Sequence, residues 1–160
     1  MRLLKHLLTP HWWALRAFPS GVLRQIEGAI KASEKQHDGE LRFAVEAGLP
    51  LSFLRKKTRE RAEALFGQLG VWDTEHNSGV LIYVQLVDRR IEIVADRGIS
   101  ARVPQHDWDA VCRAMEHAFK AGKHREGALA AIDAVTQILA REFPAHGARE
   151  NELPDKPAVL

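Results

Sequence analysis

The segment from Asn77 to Gly98 constrains the fold more than any other part of the chain, because two apolar, β-branched runs meet there across a short polar turn. The first run, residues 80–87, is apolar on both faces, as is typical of a strand covered by helices on each side. In the second run, 91–95, Ile91, Ile93 and Ala95 alternate with Arg90, Glu92 and Val94. Asp88-Arg89 is suited to a tight turn between them. The segment therefore predicts a β-hairpin at the centre of a sheet.

Periodic patterns on either side of the hairpin predict the remaining elements. Apolar stripes predict helices over 20–37, 51–69, 105–121 and 125–143, and strict alternation predicts a strand over 39–46 whose polar residues face a wetter side. Because a strand, a helix and the 80–87 strand form a crossover unit, the two strands should be parallel, whereas the 91–95 strand should be antiparallel to its neighbour. The sequence thus predicts an α/β fold of the αβα sandwich type, a small mixed sheet with helices on both faces. The expected core residues are Phe43, Leu81, Tyr83, Ile91 and Ile93.

The length and the hydrophobic content, 160 residues and 46%, suit a single domain with a sizeable core. We divide the chain into an N-terminal helical extension at 1–19, an α/β domain at 20–144 and a flexible tail at 145–160. The tail is assigned because those residues are polar, contain two prolines and lack periodicity.

Charge and cysteine content narrow the classes of partner. The 23 Lys and Arg residues nearly balance the 21 Asp and Glu residues, so no nucleic-acid partner is expected. The single cysteine, Cys112, excludes an intrachain disulfide and a Cys-based zinc site, and it favours a reducing compartment. No run reaches the roughly 18 apolar residues of a membrane span. We therefore expect a cytoplasmic protein, with peripheral contact to the inner membrane as an open alternative.

An ordered series of short motifs resembles the TPM domain, and most of all its short bacterial branch without a transmembrane anchor. The resemblance covers about Val22 to Pro144, and the motifs are Gly39-Glu40, Trp72-Asp73-Thr74, Asn77–Tyr83, Arg90–Ile99, Gly122, Gly127 and Phe143-Pro144. It implies an α/β sandwich around a small mixed sheet. Plant members resemble acid phosphatases of the thylakoid lumen, some bacterial members bind divalent cations, and an animal member is a receptor accessory protein. One fold thus hosts several functions.

Acidic residues near strand ends are the candidates for a phosphatase-like metal site, with Ca²⁺ or Mg²⁺ as the possible ion. We single out Asp73, Asp88 and Asp96. Where the family usually has a Gly-Tyr-Gly-Leu-Glu-Gly loop, this chain has Asp96-Arg97-Gly98-Ile99, so a tyrosine and a glutamate are replaced and Arg97 adds a positive charge. Capping and surface salt bridges are the structural alternative for these acids.

Two loops near sheet ends are candidates for the walls of a cleft, because open α/β sheets bind ligands there. The candidate cleft residues are Trp72, Glu75, His76, Arg97, His106 and Asp107. The structural alternative is that Trp72 plugs the core while its neighbours close a turn.

A membrane or partner surface is the third candidate site. The N-terminal extension is rich in apolar and aromatic residues, and the helix expected at 51–69 has a basic outer face. Such a composition suits a membrane interface, and the alternative is that the aromatic residues fold back over the sheet. The surface residues are Trp12, Trp13, Arg55, Lys56, Lys57 and Arg59, with Arg61 on the same basic face.

Two functional hypotheses follow from these observations. The first is a non-catalytic interaction module of the bacterial cell envelope, with a protein partner and possible membrane contact. The second is a hydrolase of phosphate monoesters that depends on a divalent cation, and it rests on the family resemblance alone.

Overall fold

The computed structural model describes all 160 residues as seven α-helices and four strands. The helices are α1 (Arg2–Leu8), α2 (Trp12–Ala17), α3 (Ser20–Ser33), α4 (Thr58–Gln68), α5 (Arg97–Ser100), α6 (Gln105–Lys120) and α7 (His124–Glu142). The strands are β1 (Glu40–Glu46), β2 (Gly79–Gln85), β3 (Arg90–Ala95) and β4 (Ala158–Val159), and a 3₁₀ turn covers Leu51–Phe53.

The strands form one mixed sheet in the order β3-β2-β1-β4. β1 pairs with β2 in parallel over seven residues, and β2 pairs with β3 in the antiparallel sense, as the sequence predicted. The hairpin turn is longer than predicted, because Gln85 pairs with Arg90 and leaves four residues, 86–89, in the turn. Within it Arg89, rather than Asp88, has a left-handed backbone, with φ of 53°.

The core lies on both faces of this sheet, which confirms the αβα sandwich. On one face the β1 residues Leu41, Phe43 and Val45 belong to a cluster of 23 buried side chains with α3, α6 and α7. On the other face Leu81 and Tyr83 of β2 pack in a smaller cluster with α4. The alternation of β1 and β2 between the two clusters follows from the two-residue period of a strand. All five predicted core residues are buried.

The prediction of a wetter face on β1 was wrong, since every residue of that strand is buried. The Glu46 carboxylate accepts hydrogen bonds from Arg61 Nη2 at 2.6 Å and from the Tyr83 hydroxyl at 2.6 Å. Arg61 lies on α4 and was expected on an exposed basic face. It is instead buried, because its charge neutralises Glu46 under the helix. Burial, reinforced by the charge of Glu46, raises the pKa of Tyr83, so the hydroxyl stays protonated and can donate.

The C-terminal residues 145–160 were also mispredicted, because they pack on the domain instead of forming a loose tail. Their end forms β4, which pairs with β1 in parallel at Ala44 and Val45. Arg149 donates to the buried Glu40 carboxylate, and Arg42 donates to the carbonyls of Pro154 and Lys156. The segment thus supplies partners for the charged residues at the start of β1, although the buried Nε of Arg42 makes no hydrogen bond.

The N-terminal helices α1 and α2 lie at the carboxyl ends of β1 and β2. Ala14 and Phe18 are fully buried in the larger core cluster, where Phe18 meets the rings of Phe43 and Phe119 edge to face. No helix in the structure has both the length and the apolar character that a membrane crossing requires.

Truncating Ile93 tests the position of the hairpin. Because Ile93 is 1% exposed at the centre of β3, we expect Ile93→Ala to lower the free energy of unfolding by about 2 to 5 kcal/mol through cavity formation, and Ile93→Val by only about 1 kcal/mol. Denaturant unfolding measures both. A loss below about 0.5 kcal/mol for the alanine variant would contradict this packing.

The pair formed by Glu46 and Arg61 yields a second prediction. Arg61→Met leaves an uncompensated charge under α4 and should cost about 3 to 5 kcal/mol in the free energy of unfolding. Adding Glu46→Gln should recover most of that loss, since the amide oxygen still accepts from the Tyr83 hydroxyl. If the loss of unfolding free energy in the double variant equals the sum of the losses in the two single variants, the pairing is disproved.

Candidate functional site

The three predicted metal ligands do not come together. Asp96 follows β3 and lies at the amino end of β2, where its N–H donates to the Gly79 carbonyl at 2.8 Å. Asp88 lies in the turn at the other end of β2, a seven-residue strand that spans about 20 Å. Asp73 is exposed in the loop before β2. No group of three or more His, Cys, Asp or Glu side chains in the structure has a geometry that could hold a metal ion. The structure therefore does not bring the three predicted ligands together in one site.

Asp88 anchors the N-terminal helix. Its carboxylate accepts hydrogen bonds from Arg2 at 2.7 Å and from His6 Nε2 at 3.1 Å. Because His6 Nδ1 accepts the Leu49 N–H, the ring proton lies on Nε2. Burial alone would raise the pKa of Asp88, but the bonds from Arg2 and His6 outweigh it and lower that pKa. This anchor therefore contributes stability above the usual pKa of an aspartate and loses it as the pH falls through the lowered value.

The loops expected to flank a cleft pack directly against each other. The Gly98 N–H donates to the Asn77 carbonyl at 3.0 Å, and a Cβ at Gly98 would approach the His76 carbonyl to 2.5 Å. Asp96 caps α5 by accepting from the Arg97 N–H, which is the capping role that the sequence left open. Trp72 remains exposed, and so do Glu75 and His76.

The other two residues of the predicted cleft lie at the start of α6. His106 contacts Asp107 at 3.1 Å, and Asp107 also faces Arg141 of α7 at 3.5 Å. These contacts form a surface salt-bridge network. No hydrogen bond or salt bridge joins it to the loop of Trp72.

A cleft that the sequence did not indicate opens at the carboxyl end of β2. We call it the basic cleft. It has a volume of ≈ 760 Å³ and lies between α2, the β2–β3 turn and the corner that joins α6 to α7. Its charged lining residues are Arg16, Arg89, Arg90, Lys120, Arg125, Glu116 and Glu126. Carboxyl ends of parallel strands are the usual place for ligands in open α/β sheets.

Most cations of the basic cleft have no partner within the protein. The side chains of Arg16, Arg89, Arg90 and Lys120 make neither a hydrogen bond nor a salt bridge, whereas Arg125 donates to Gln25 and faces Glu126. The adjacent Arg89 and Arg90 were the one sequence feature that could have indicated this cleft. Two arginines in a turn are, however, also typical of a turn that only faces solvent. Lys120 and Arg16 are distant in sequence, and only the fold brings them to the hairpin.

The outer face of the N-terminal helices is the second distinctive surface. We call it the N-terminal apolar surface, and it consists of Leu3, Leu4, Leu7, Leu8, Trp12 and Trp13, all of which are exposed. Its polar neighbour His6 is buried instead. The two tryptophans therefore do not fold back over the sheet, whereas Phe18 does.

The basic residues predicted on one helix are divided between several environments. Arg55, Lys56 and Lys57 are exposed in the loop before α4, and Arg2 donates to the Leu54 carbonyl beside them at 3.0 Å. Arg59 instead donates to the Ile93 carbonyl and to Glu63, so it belongs to the packing of α4 on β3. The exposed basic patch is thus shorter than predicted, and it borders α1.

A second cavity of ≈ 640 Å³ lies between the end of α3, the start of β1 and the C-terminal residues. Burial, with the charge of Glu40, raises the pKa of Glu34 to about 8. Glu34 accepts the Leu41 N–H at 2.8 Å. This bond joins α3 to β1, so the position of Glu34 is explained by packing and gives no reason to infer a ligand.

Comparisons with known proteins agree with this fold. The family model described as the TPM domain matches residues 17–138, so the chain belongs to the TPM domain family. The protein is similar to BA42 from the psychrophilic bacterium Bizionia argentinensis, an NMR structure, with a TM-score of 0.78 and 29% identity over 88% of this chain and 94% of that one. It also shares its fold with the N-terminal domain of a P. gingivalis protein, with a TM-score of 0.64 and 21% identity over 94% of this chain and 100% of that one. No curated protein matches the sequence.

The separation of the acids gives a prediction about hydrolysis. We expect the variant with Asp73→Asn and Asp96→Asn to show the same rate on p-nitrophenyl phosphate as the unchanged protein, with Ca²⁺ or Mg²⁺ added. Asp88 is left intact because it anchors α1. A metal-dependent rate that this variant loses would contradict the prediction and favour the hydrolase hypothesis.

Proposed function

We propose that the protein is a non-catalytic interaction module of the bacterial cell envelope that docks on an anionic membrane surface through the N-terminal apolar surface. The observation that carries the proposal is the inverted amphipathicity of α1. His6 is 4% exposed, whereas Leu4 and Leu8 are 60% and 71% exposed. In water a short helix normally buries its leucines and exposes its histidine.

Polar contacts keep α1 in this orientation. His6 bonds to Asp88 and to the Leu49 N–H, and Arg2 bonds to Asp88. Gly48 lets the backbones approach, since a Cβ there would meet the His6 carbonyl at 2.8 Å. The leucines are thus held outward by the fold.

The composition of the surface favours a lipid interface as its occupant. Moving a half-exposed leucine out of water contributes about 1 kcal/mol, and the indoles of Trp12 and Trp13 suit the headgroup level. The exposed Arg55, Lys56 and Lys57 beside α1 can each add about 1 kcal/mol of attraction near anionic lipid. A protein partner would have to match both the apolar face and this basic border.

The test is co-sedimentation with phosphatidylcholine vesicles, with and without phosphatidylglycerol. We expect binding that requires phosphatidylglycerol, weakens with salt and is lost in the variant Leu4→Ser, Leu8→Ser, Trp12→Ala. Because these side chains are exposed, the free energy of unfolding should change by less than about 0.5 kcal/mol per substitution. Deleting residues 1–18 would be a poorer test, since it removes Ala14 and Phe18 from the core.

Trp72→Ala is the matched control, because Trp72 is a similarly exposed tryptophan at the opposite end of β2. It should bind vesicles as the unchanged protein does. If the unchanged protein ignores the anionic vesicles, the membrane proposal is wrong and the apolar surface belongs to a protein contact.

A further inference from the structure

We propose that the basic cleft binds a ligand that carries paired phosphate groups. The cleft borders the N-terminal apolar surface and shares Trp13 with it, but its chemistry does not require a membrane. Its volume of ≈ 760 Å³ lies within the usual range of small-molecule sites, about 300 to 1,000 Å³.

The free cations of the cleft come in two sets. Arg89 and Arg90 extend from the β2–β3 hairpin, whereas Arg16 and Lys120 come from α2 and α6. None of the four makes a salt bridge or a side-chain hydrogen bond, although Arg90 lies close enough to Glu92 to attract its charge. Each therefore retains its donors for a ligand. Guanidinium groups bind phosphate oxygens in a bidentate manner, and an ammonium group binds them as a point charge. Two sets of cations suit two phosphate groups.

The overall charge of the lining agrees with this assignment. Five Arg or Lys residues against Glu116 and Glu126 leave a charge of +3. Both carboxylates are also engaged, since Glu116 accepts the Ile91 N–H at 3.4 Å and Glu126 pairs with Arg125 at 3.5 Å. A diphosphate carries about three negative charges near neutral pH, and two phosphodiester groups carry about two.

The backbone of Arg89 is an independent observation. A φ of 53° is uncommon for a residue with a long side chain, and glycine or asparagine would occupy this turn position at lower cost. Strained residues of this kind cluster at binding sites, where the side chain is needed despite the cost. Here the strained residue lines the cleft.

The apolar part of the lining indicates that the ligand has an organic body. Trp13, Leu86, Ile91 and Phe119 contribute to the walls, and Trp13 also belongs to the exposed N-terminal apolar surface. The same chemistry is available from a soluble diphosphate ester and from a lipid with two headgroup phosphates. The experiment therefore has one arm for each source.

The soluble arm titrates the full-length protein with inorganic pyrophosphate and follows amide shifts by NMR. We expect saturable binding that the double variant Arg89→Asn, Arg90→Gln weakens about tenfold or more, as expected for the loss of charge-assisted bonds. Asparagine suits the left-handed backbone, so the variant should remain folded, as thermal unfolding will check. Arg113→Gln is the control, because this exposed arginine of α6 lies outside the cleft and should change affinity less than twofold.

The lipid arm compares vesicles that contain cardiolipin or phosphatidylglycerol at equal total phosphate. A preference for cardiolipin that the double variant loses, and that Arg113→Gln retains, assigns the ligand to the membrane. Pyrophosphate binding without such a preference assigns it to a soluble compound. If neither pyrophosphate binding nor a cardiolipin preference depends on Arg89 and Arg90, the proposal is wrong.

The two proposals fail in different ways. Pyrophosphate binding with no sedimentation on any vesicle would leave the cleft assignment intact and remove the membrane proposal. Salt-sensitive vesicle binding that is the same for both lipids, with no pyrophosphate binding, would remove the cleft assignment alone.

Discussion

The burial of a charged central strand is the constraint on which the rest of the structure depends. β1 pairs on both sides and is covered on both faces, yet three of its seven residues are Glu40, Arg42 and Glu46. A buried charge without a partner costs several kcal/mol, so each of the three must be compensated. Glu46 is neutralised by Arg61, which fixes how α4 lies on the sheet. Glu40 pairs with Arg149, and Arg42 donates from Nη1 to carbonyls of the C-terminal residues while its buried Nε makes no hydrogen bond. These contacts fix the path of that segment.

The same constraint explains which parts of the fold the sequence could predict. The periodicity of apolar residues reports which face of a helix or strand is buried. It correctly predicted the hairpin, the parallel crossover and the long helices α6 and α7. It failed for β1, because an alternating pattern of Leu, Phe and Val with charged residues also describes a half-exposed strand. The partners that bury those charges lie at Arg61 and Arg149, at sequence distances that no local pattern covers. The packing of the tail was missed because its strand, β4, has only two residues. Two residues are too few to show a periodic pattern.

The functional candidates divide according to the two ends of the sheet. At the amino end of β2, the segments around Asn77 and Asp96 that resemble the TPM domain pack on each other. Their polar groups bond to each other or cap a helix, as Arg97 does to Asn77 and Asp96 does for α5. At the carboxyl end the free cations of the basic cleft and the exposed leucines of α1 lie on either side of the β2–β3 turn. The sequence directed attention to the acids because acids are the usual signal for metal chemistry. Unpaired cations distributed over α2, the β2–β3 hairpin and α6 give no comparable signal, and only the tertiary structure brings them together.

The turn at residues 86–89 connects these features physically. Asp88 faces α1 and holds it through Arg2 and His6, while the next residue, Arg89, lines the basic cleft from a left-handed backbone. Within one short turn, one side chain thus serves the packing of α1 and its neighbour serves the cleft. The turn that holds α1 through Asp88, and with it the outward position of the leucines, also places an arginine in the cleft. The two surfaces share this turn, which is why substitutions that distinguish them must leave Asp88 unchanged.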